Sequence, residues 1–186
     1  MTNGRARATN QSEAAAELAL PHLDAAYNLA RWLLRSEHDA ADAVHDAFVR
    51  AAEHIHTYRG GDGRGWWLAI VRNCCLAVLN ARKRAPQALD SLGPNEDVSL
   101  PHTDPAAVED GVDVSRSAKR AARYLERLPV EFREVIVLRE LEDCSYREIA
   151  DILGVPIGTV MSRLARARSL LKKGLADSST RSDDGL

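Results

Sequence analysis

Ser145-Tyr-Arg-Glu-Ile-Ala-Asp-Ile-Leu-Gly154, followed by Val155-Pro156-Ile-Gly-Thr-Val-Met-Ser-Arg-Leu-Ala-Arg-Ala-Arg168, decides the fold of the C-terminal half. Ser145 and Glu148 have the spacing of a capping box, in which each side chain satisfies a backbone N–H at the start of a helix. Ile149, Ala150 and Leu153 then fall on one helical face, and Gly154 supplies the left-handed residue that ends the helix. Thr159 is expected to cap a second helix, with Val160 and Leu164 turned inward. Two short helices joined by a glycine turn, the second one basic, follow the helix-turn-helix plan. In that plan the second helix enters the major groove, its first residues meet base edges and flanking cations hold phosphates. The pattern points Thr159, Ser162 and Arg163 at bases, and Arg166, Arg168 and Lys172 at phosphates. Residues 156–174 contain five basic residues and no acid.

Upstream, Ala118, Ala121, Ala122, Leu125 and Leu128 form another helical stripe. Leu128-Pro129 starts the next helix with proline in the first turn, where a missing N–H costs nothing. The chain has 186 residues and a formal charge of −2, which on its face argues against a nucleic-acid partner. Counted by segment, the charge is +1 over residues 1–16, +1 over 17–85, −7 over 86–115, +5 over 116–174 and −2 over 175–186. The acidic stretch also holds Pro86, Pro94, Pro101 and Pro105 and lacks apolar periodicity, so it reads as a linker between two helical domains. The expected organisation is therefore all-α. An unstructured stretch, 1–16, precedes a helical domain, 17–85; a linker, 86–115, leads to a helix-turn-helix domain, 116–175, and a polar tail, 176–186. No apolar run approaches the ~20 residues of a membrane span, and no signal peptide opens the chain. Cys74, Cys75 and Cys144 cannot build a disulfide framework. A cytoplasmic protein with no membrane contact of its own is expected.

In the first domain, apolar residues between Asp24 and Arg35 define one amphipathic helix. Ser36 with Asp39 marks the start of the next. Behind it, Ala40, Ala43, Val44, Ala47, Phe48, Ala51, Ala52 and Ile55 make a long core-facing stripe. The opposite face gathers Asp39, Asp42, His45, Asp46, Val49 and Glu53. On spacing alone it is an acidic face near a helix N-terminus, where Asp is favoured. Tyr58-Arg-Gly-Gly-Asp-Gly-Arg-Gly65 followed by Trp66-Trp67 lacks the Gly-Lys-Ser/Thr ending of a P-loop. Tyr58, Arg59, Arg64 and Trp66 instead interleave aromatic faces with guanidinium groups, a mixture that suits unstacked bases. Trp67 is expected to fill the core. The following helix, about 66–84, is apolar nearly all round, interrupted by Arg72 and Asn73, and ends in Arg82-Lys-Arg84 before Pro86.

Asp39-Ala-Ala-Asp-Ala-Val-His-Asp-Ala-Phe-Val-Arg-Ala51, Trp67-Leu-Ala-Ile-Val-Arg-Asn73, Leu128-Pro129 with Phe132-Arg133, Leu138-Arg-Glu-Leu141, Ser145–Ala150 and Pro156–Val160 together resemble the bacterial extracytoplasmic-function (ECF) sigma factors. The resemblance implies a promoter-specificity subunit with no catalytic residue, cofactor or metal of its own. Its partners would be core RNA polymerase, through the β′ clamp helices and the β flap, promoter DNA, and an anti-sigma factor that holds it inactive until a stress signal arrives. Asp39, Asp42, His45, Asp46 and Val49 would then form the polymerase-binding face, replacing the bland reading of that surface. Tyr58, Arg59, Asp62, Arg64, Trp66, Arg72, Asn73, Asn80, Arg82 and Arg84 would meet the −10 strand. Thr159, Ser162, Arg163, Arg166, Arg168 and Lys172 would read the −35 element. His45 stands where the family usually has Gln, Asp46 where it has Glu, and Ala77 where it often has Asp or Asn. The imidazole would make docking pH-dependent. Two rivals remain on the residues alone. One is a stand-alone helix-turn-helix regulator; the other is a metal protein using His54, His56, Cys74 and Cys75, whose spacings do not fit structural zinc.

Overall fold

The structure, a computed structural model, describes residues 3–84 and 112–180, and the side chains of 10–84 and 118–176. Among the described residues every regular element is helical. The first half holds α1 (Asn3–Ala19), α2 (Leu23–Leu34), α3 (Glu37–His54) and α4 (Gly63–Arg84). The second holds α5 (Val112–Arg127), α6 (Val130–Ile136), α7 (Tyr146–Leu153) and α8 (Ile157–Thr180).

Alanines set the packing of the first half. Ala40, Ala43, Ala47 and Ala51 are buried on α3, so their small side chains let α2 and α4 approach closely. Leu29 and Leu33 of α2 and Trp67, Leu68 and Val71 of α4 fill the remaining space. Residues 1–16 were expected to lack structure, yet α1 runs from Asn3. Its Ala-rich sequence favours helix, and Ala15 and Ala19 bury themselves as α1 packs on α3 and α4. The Ser36 cap is present, its hydroxyl accepting from the Asp39 N–H at 3.2 Å.

In the second half α8 is the spine, touched by α5, α6 and α7. Val160, Leu164 and Ala167 face inward against Val135, Leu138, Ile149 and Ile152. A methyl group at Gly174 would run into the Tyr124 ring, so the glycine permits the close approach of α5 and α8. α6 continues into a wide π-turn over Val137–Leu141, where the Glu142 N–H reaches the Val137 carbonyl at 3.0 Å. The capping box of α7 is formed, with the Ser145 N–H donating to Glu148 at 2.6 Å and the Glu148 N–H to Ser145 at 3.2 Å. Gly154 ends the helix with φ +64°. Thr159, by contrast, does not cap α8. The helix starts at Ile157, because the Pro156 carbonyl accepts from the Thr159 N–H at 2.8 Å and opens the ladder three residues earlier.

Most of the linker expected at 86–115 lies outside the described residues; α5 already begins at Val112. α8 carries helix into the expected tail, to Thr180, and 181–186 lie outside the described residues. The two halves pack against each other, α6 on α2 and α7 on α4.

Candidate nucleic-acid interface

Along α3 the stripe that turns Ala40, Ala43, Val44 and Ala47 inward leaves Asp42, His45, Asp46 and Val49 exposed together on the opposite side. His38 lies 3.6 Å from Asp42 one turn before it. Asp39 belongs to this face by position, but its carboxylate is paired with Arg82 of α4. It is held below the ordinary carboxylate value, first by the Ser36 hydroxyl and then by Arg82.

The loop before α4 is bent by Gly60 and Gly61, both at positive φ, and pinned by the Tyr58 hydroxyl donating to the Gly61 carbonyl at 2.8 Å. This brings the Tyr58 and Trp66 rings to 5.5 Å, tilted by 49°. The two make a half-buried aromatic wall beside exposed Arg59 and Asp62. Trp67 points the other way, fully buried, as expected. Farther along α4, Asn73, Asn80, Arg82 and Arg84 are exposed on its outer side. Arg82 also donates to the Leu34 carbonyl at 3.2 Å.

Arg64 and Arg72 behave differently. Arg72 donates from Nε and Nη2 to the two carboxylate oxygens of Glu134, at 2.8 and 3.2 Å. Arg64 donates from Nη2 to the Glu142 carbonyl at 2.7 Å and to its carboxylate at 3.2 Å. Both acids come from the other half of the molecule. Asn28 of α2 adds a 2.5 Å donor to Glu142.

On α8 the buried stripe leaves Met161, Ser162, Ala165, Arg166, Ser169, Lys172 and Lys173 facing out. Arg166 and Lys172 stand exposed, as phosphate contacts require. Thr159 is half-buried, and its carbonyl accepts from the Ser162 hydroxyl at 3.0 Å. Arg163 turns toward the core, donating to Glu134 at 3.1 Å, so reading a base with it means opening that pair. Arg168 is held on Glu140 at 2.7 Å, at the far edge of the face.

Residues that the sequence pattern passed over complete the site. Ile157 and Met161 expose 49% and 54% of their surface at the start of α8, apolar edges of the kind that meet thymine methyl groups. Arg133 and Glu134 are buried on α6 between Phe132 and the apolar stretch Val135–Leu138, while Glu131 one turn earlier is exposed. Charges set directly against that apolar stretch are the one local signal that could have marked them. Arg133 donates to the Trp32 carbonyl at 2.9 Å, across the two halves. The cysteines are buried free thiols, and no His, Cys, Asp and Glu cluster among the described residues could hold a metal ion. His54 and His56 stack at 6.2 Å at the end of α3.

Residues 18–85 match the family described as Sigma-70 region 2, and residues 118–171 match Sigma-70, region 4. ECF RNA polymerase sigma factor SigE of Mycolicibacterium smegmatis is 35% identical over 88% of this chain, which spans 62% of that protein's length. ECF RNA polymerase sigma factor SigW of Bacillus subtilis is 30% identical over 89% of this chain and 90% of its own. Among solved structures, the sigma factor RpoE in complex with the anti-sigma factor NepR from Bartonella quintana superposes with a TM-score of 0.69. It is 26% identical and covers 84% of this chain and 93% of its own. CnrH in complex with the cytosolic domain of CnrY gives a TM-score of 0.61 at 25% identity, over 94% and 97%.

Proposed function

The chain belongs to the ECF group of sigma-70 factors, and from that membership we propose that it directs core RNA polymerase to particular promoters. One observation carries the reading: a region 2 module and a region 4 module occur in that order, each with its candidate contact face built on a rigid helix. Asp39, Asp42, His45, Asp46 and Val49 dock on the β′ clamp helices. The aromatic wall of Tyr58 and Trp66 receives an unstacked base, flanked by Arg59 and Asp62. Arg64, Arg72, Asn73, Asn80, Arg82 and Arg84 follow the −10 strand. Thr159 and Ser162 face −35 base edges, Arg163 joins them when its pair with Glu134 opens, and Arg166, Arg168 and Lys172 hold phosphates.

Polymerase supplies the chemistry of RNA synthesis, and this chain supplies promoter choice. It works inside the cell; among the described residues no helix is long and apolar enough to cross a membrane. Each DNA-reading module alone is weak, because its contacts are few. Seating both on one polymerase makes the second contact intramolecular and multiplies the two. The −7 stretch at 86–115 lowers the chain's overall attraction for DNA and leaves the two modules their local positive charge. An anti-sigma factor completes the proposed system, by analogy with the complex of RpoE with the anti-sigma factor NepR.

The reading is tested by run-off transcription with purified core polymerase on a library of genomic fragments. Discrete start-specific transcripts that require this chain are expected; their absence on every fragment would sink it. A stand-alone regulator is not supported, since residues 18–85 match region 2 rather than a sensor domain.

A further inference from the structure

We propose that Met161 chooses one base pair of the −35 element, and that the base it selects is thymine, through contact with the 5-methyl group. The inference rests on the reading of α8 as the helix that enters the major groove.

Residues four apart on a helix stand in one row along its surface. α8 opens with two such rows side by side, Ile157, Met161 and Ala165 in one and Gly158, Ser162 and Arg166 in the other, all exposed. Arg and Lys are the side chains that bind guanine through its O6 and N7. Neither row carries one before Arg166. Arg163, the one charged residue between Ile157 and Ala165, donates to Glu134 at 3.1 Å and is directed to the core. The Ser162 hydroxyl donates to the Thr159 carbonyl at 3.0 Å, which leaves its oxygen to accept, from the amino group of adenine or cytosine. The start of α8 therefore holds nothing suited to guanine and much that suits a methyl group.

A single exposed apolar side chain is ordinary on a protein surface. Here two adjoin in one row, and the charge around them says what covers them. Residues 156–174 carry five basic residues and no acid, a face that draws phosphates onto itself. Gly158 stands between Ile157 and Met161 on the neighbouring row. Its φ lies outside the left-handed region, and a methyl group built on it meets nothing within 4 Å. Neither the turn nor the packing calls for glycine there, although glycine weakens a helix relative to alanine. Bare backbone at this point lets the helix approach the base edges closely. Thymine alone of the four bases presents a methyl group in the groove. The flexible, polarizable thioether of Met161 follows such a group, and Ile157, one turn back, supports it from the side.

The test uses holoenzyme assembled from core polymerase and the full chain, transcribing a bar-coded library in which every base pair of the −35 region is randomised. The wild-type chain is expected to select thymine at one position. Met161→Arg is expected to replace it by guanine there and to leave the other positions as they were. On the selected promoter, deoxyuridine in place of that thymine removes the methyl group alone. It is expected to weaken holoenzyme binding about fourfold, as one methyl leaving an apolar contact does, and to have no effect with Met161→Ala. Circular dichroism verifies folding; should Met161→Arg not fold, the deoxyuridine series on the wild-type chain decides. If Met161→Arg strengthens all sequences alike and keeps the wild-type preference, the residue lies over phosphate and the proposal is overturned. A wild-type holoenzyme indifferent to deoxyuridine at every thymine of the element overturns it as well. So does a deoxyuridine loss that persists undiminished in Met161→Ala, which gives the methyl to another residue. A library without any −35 preference overturns instead the placement of α8 in the groove, and the proposal falls with it.

Discussion

Cys74, Cys75 and Cys144 are buried free thiols, so their surroundings decide how reactive they are. Burial pushes the Cys75 thiol up to about 12, with Cys74 beside it adding to the effect, and burial pushes Cys144 up to about 11. Cys74 is raised as well, first by burial. The thiolate is the reactive species, so thiols of this kind are inert near neutrality. A soluble disulfide reagent at pH 8 is expected to leave the folded chain unlabelled and to modify all three cysteines in denaturant. Rapid labelling of the native chain would contradict this. The burial of Cys74 and Cys75 was legible in the sequence, because both lie in the nearly all-apolar helix expected at about 66–84; that of Cys144 was not, because it follows Glu142 and Asp143 outside any apolar stripe. Their shifted acidity was not, because it depends on how much protein lies around the sulfur.

At the scale of elements, α7 and α8 divide the labour between stability and contact. The Glu148 carboxylate is held below its ordinary value near 4.5, first by the Ser145 hydroxyl and next by the Ser145 backbone N–H. A carboxyl whose folded pKa is depressed stabilises the fold fully above its unfolded value and loses that contribution as pH falls through the folded one. Glu148→Gln keeps the reach of the cap but not its charge. It is therefore expected to flatten the acid side of the stability curve below about pH 4.5. Chemical denaturation of the full chain at pH 7 and pH 3.5 measures this; an equal pH dependence in both proteins would refute it. On α8, Arg166→Ala or Lys172→Ala is expected to weaken DNA binding of the holoenzyme alike on all sequences. The slope of log K against log salt should shrink by about one unit for each. A loss confined to one base pair would instead make the residue a base reader. The capping box, the turn glycine and the inward stripe of α8 were all readable from spacing. The start of α8 was not, because a proline carbonyl accepts as well as a threonine hydroxyl and leaves no side-chain signature.

For the whole molecule the telling residue is Arg133, which belongs to neither half alone. Its guanidinium is charged below pH 10, and the folded state bears the burial penalty throughout that range; the penalty fades only as pH rises above about 10 toward the ordinary arginine value. The penalty is on the order of 3 kcal/mol at most, offset in part by ~1–2 kcal/mol from the bond to the Trp32 carbonyl. Arg133→Met is therefore expected to leave thermal stability at pH 7 unchanged or raised by about 1 kcal/mol. A fall of several kcal/mol would show that the cation itself holds the halves together. The helical class, the two modules, the helix-turn-helix and the basic outer face of α8 were determined by the sequence alone. Each is a property of residues within a turn or two of one another, written in periodicity, caps and local charge. Tertiary structure decided which acid meets which arginine. Arg72 and Glu134 are 62 residues apart, Arg64 and Glu142 78, and nothing in a local period distinguishes a solvated carboxylate from one that a distant helix will bury.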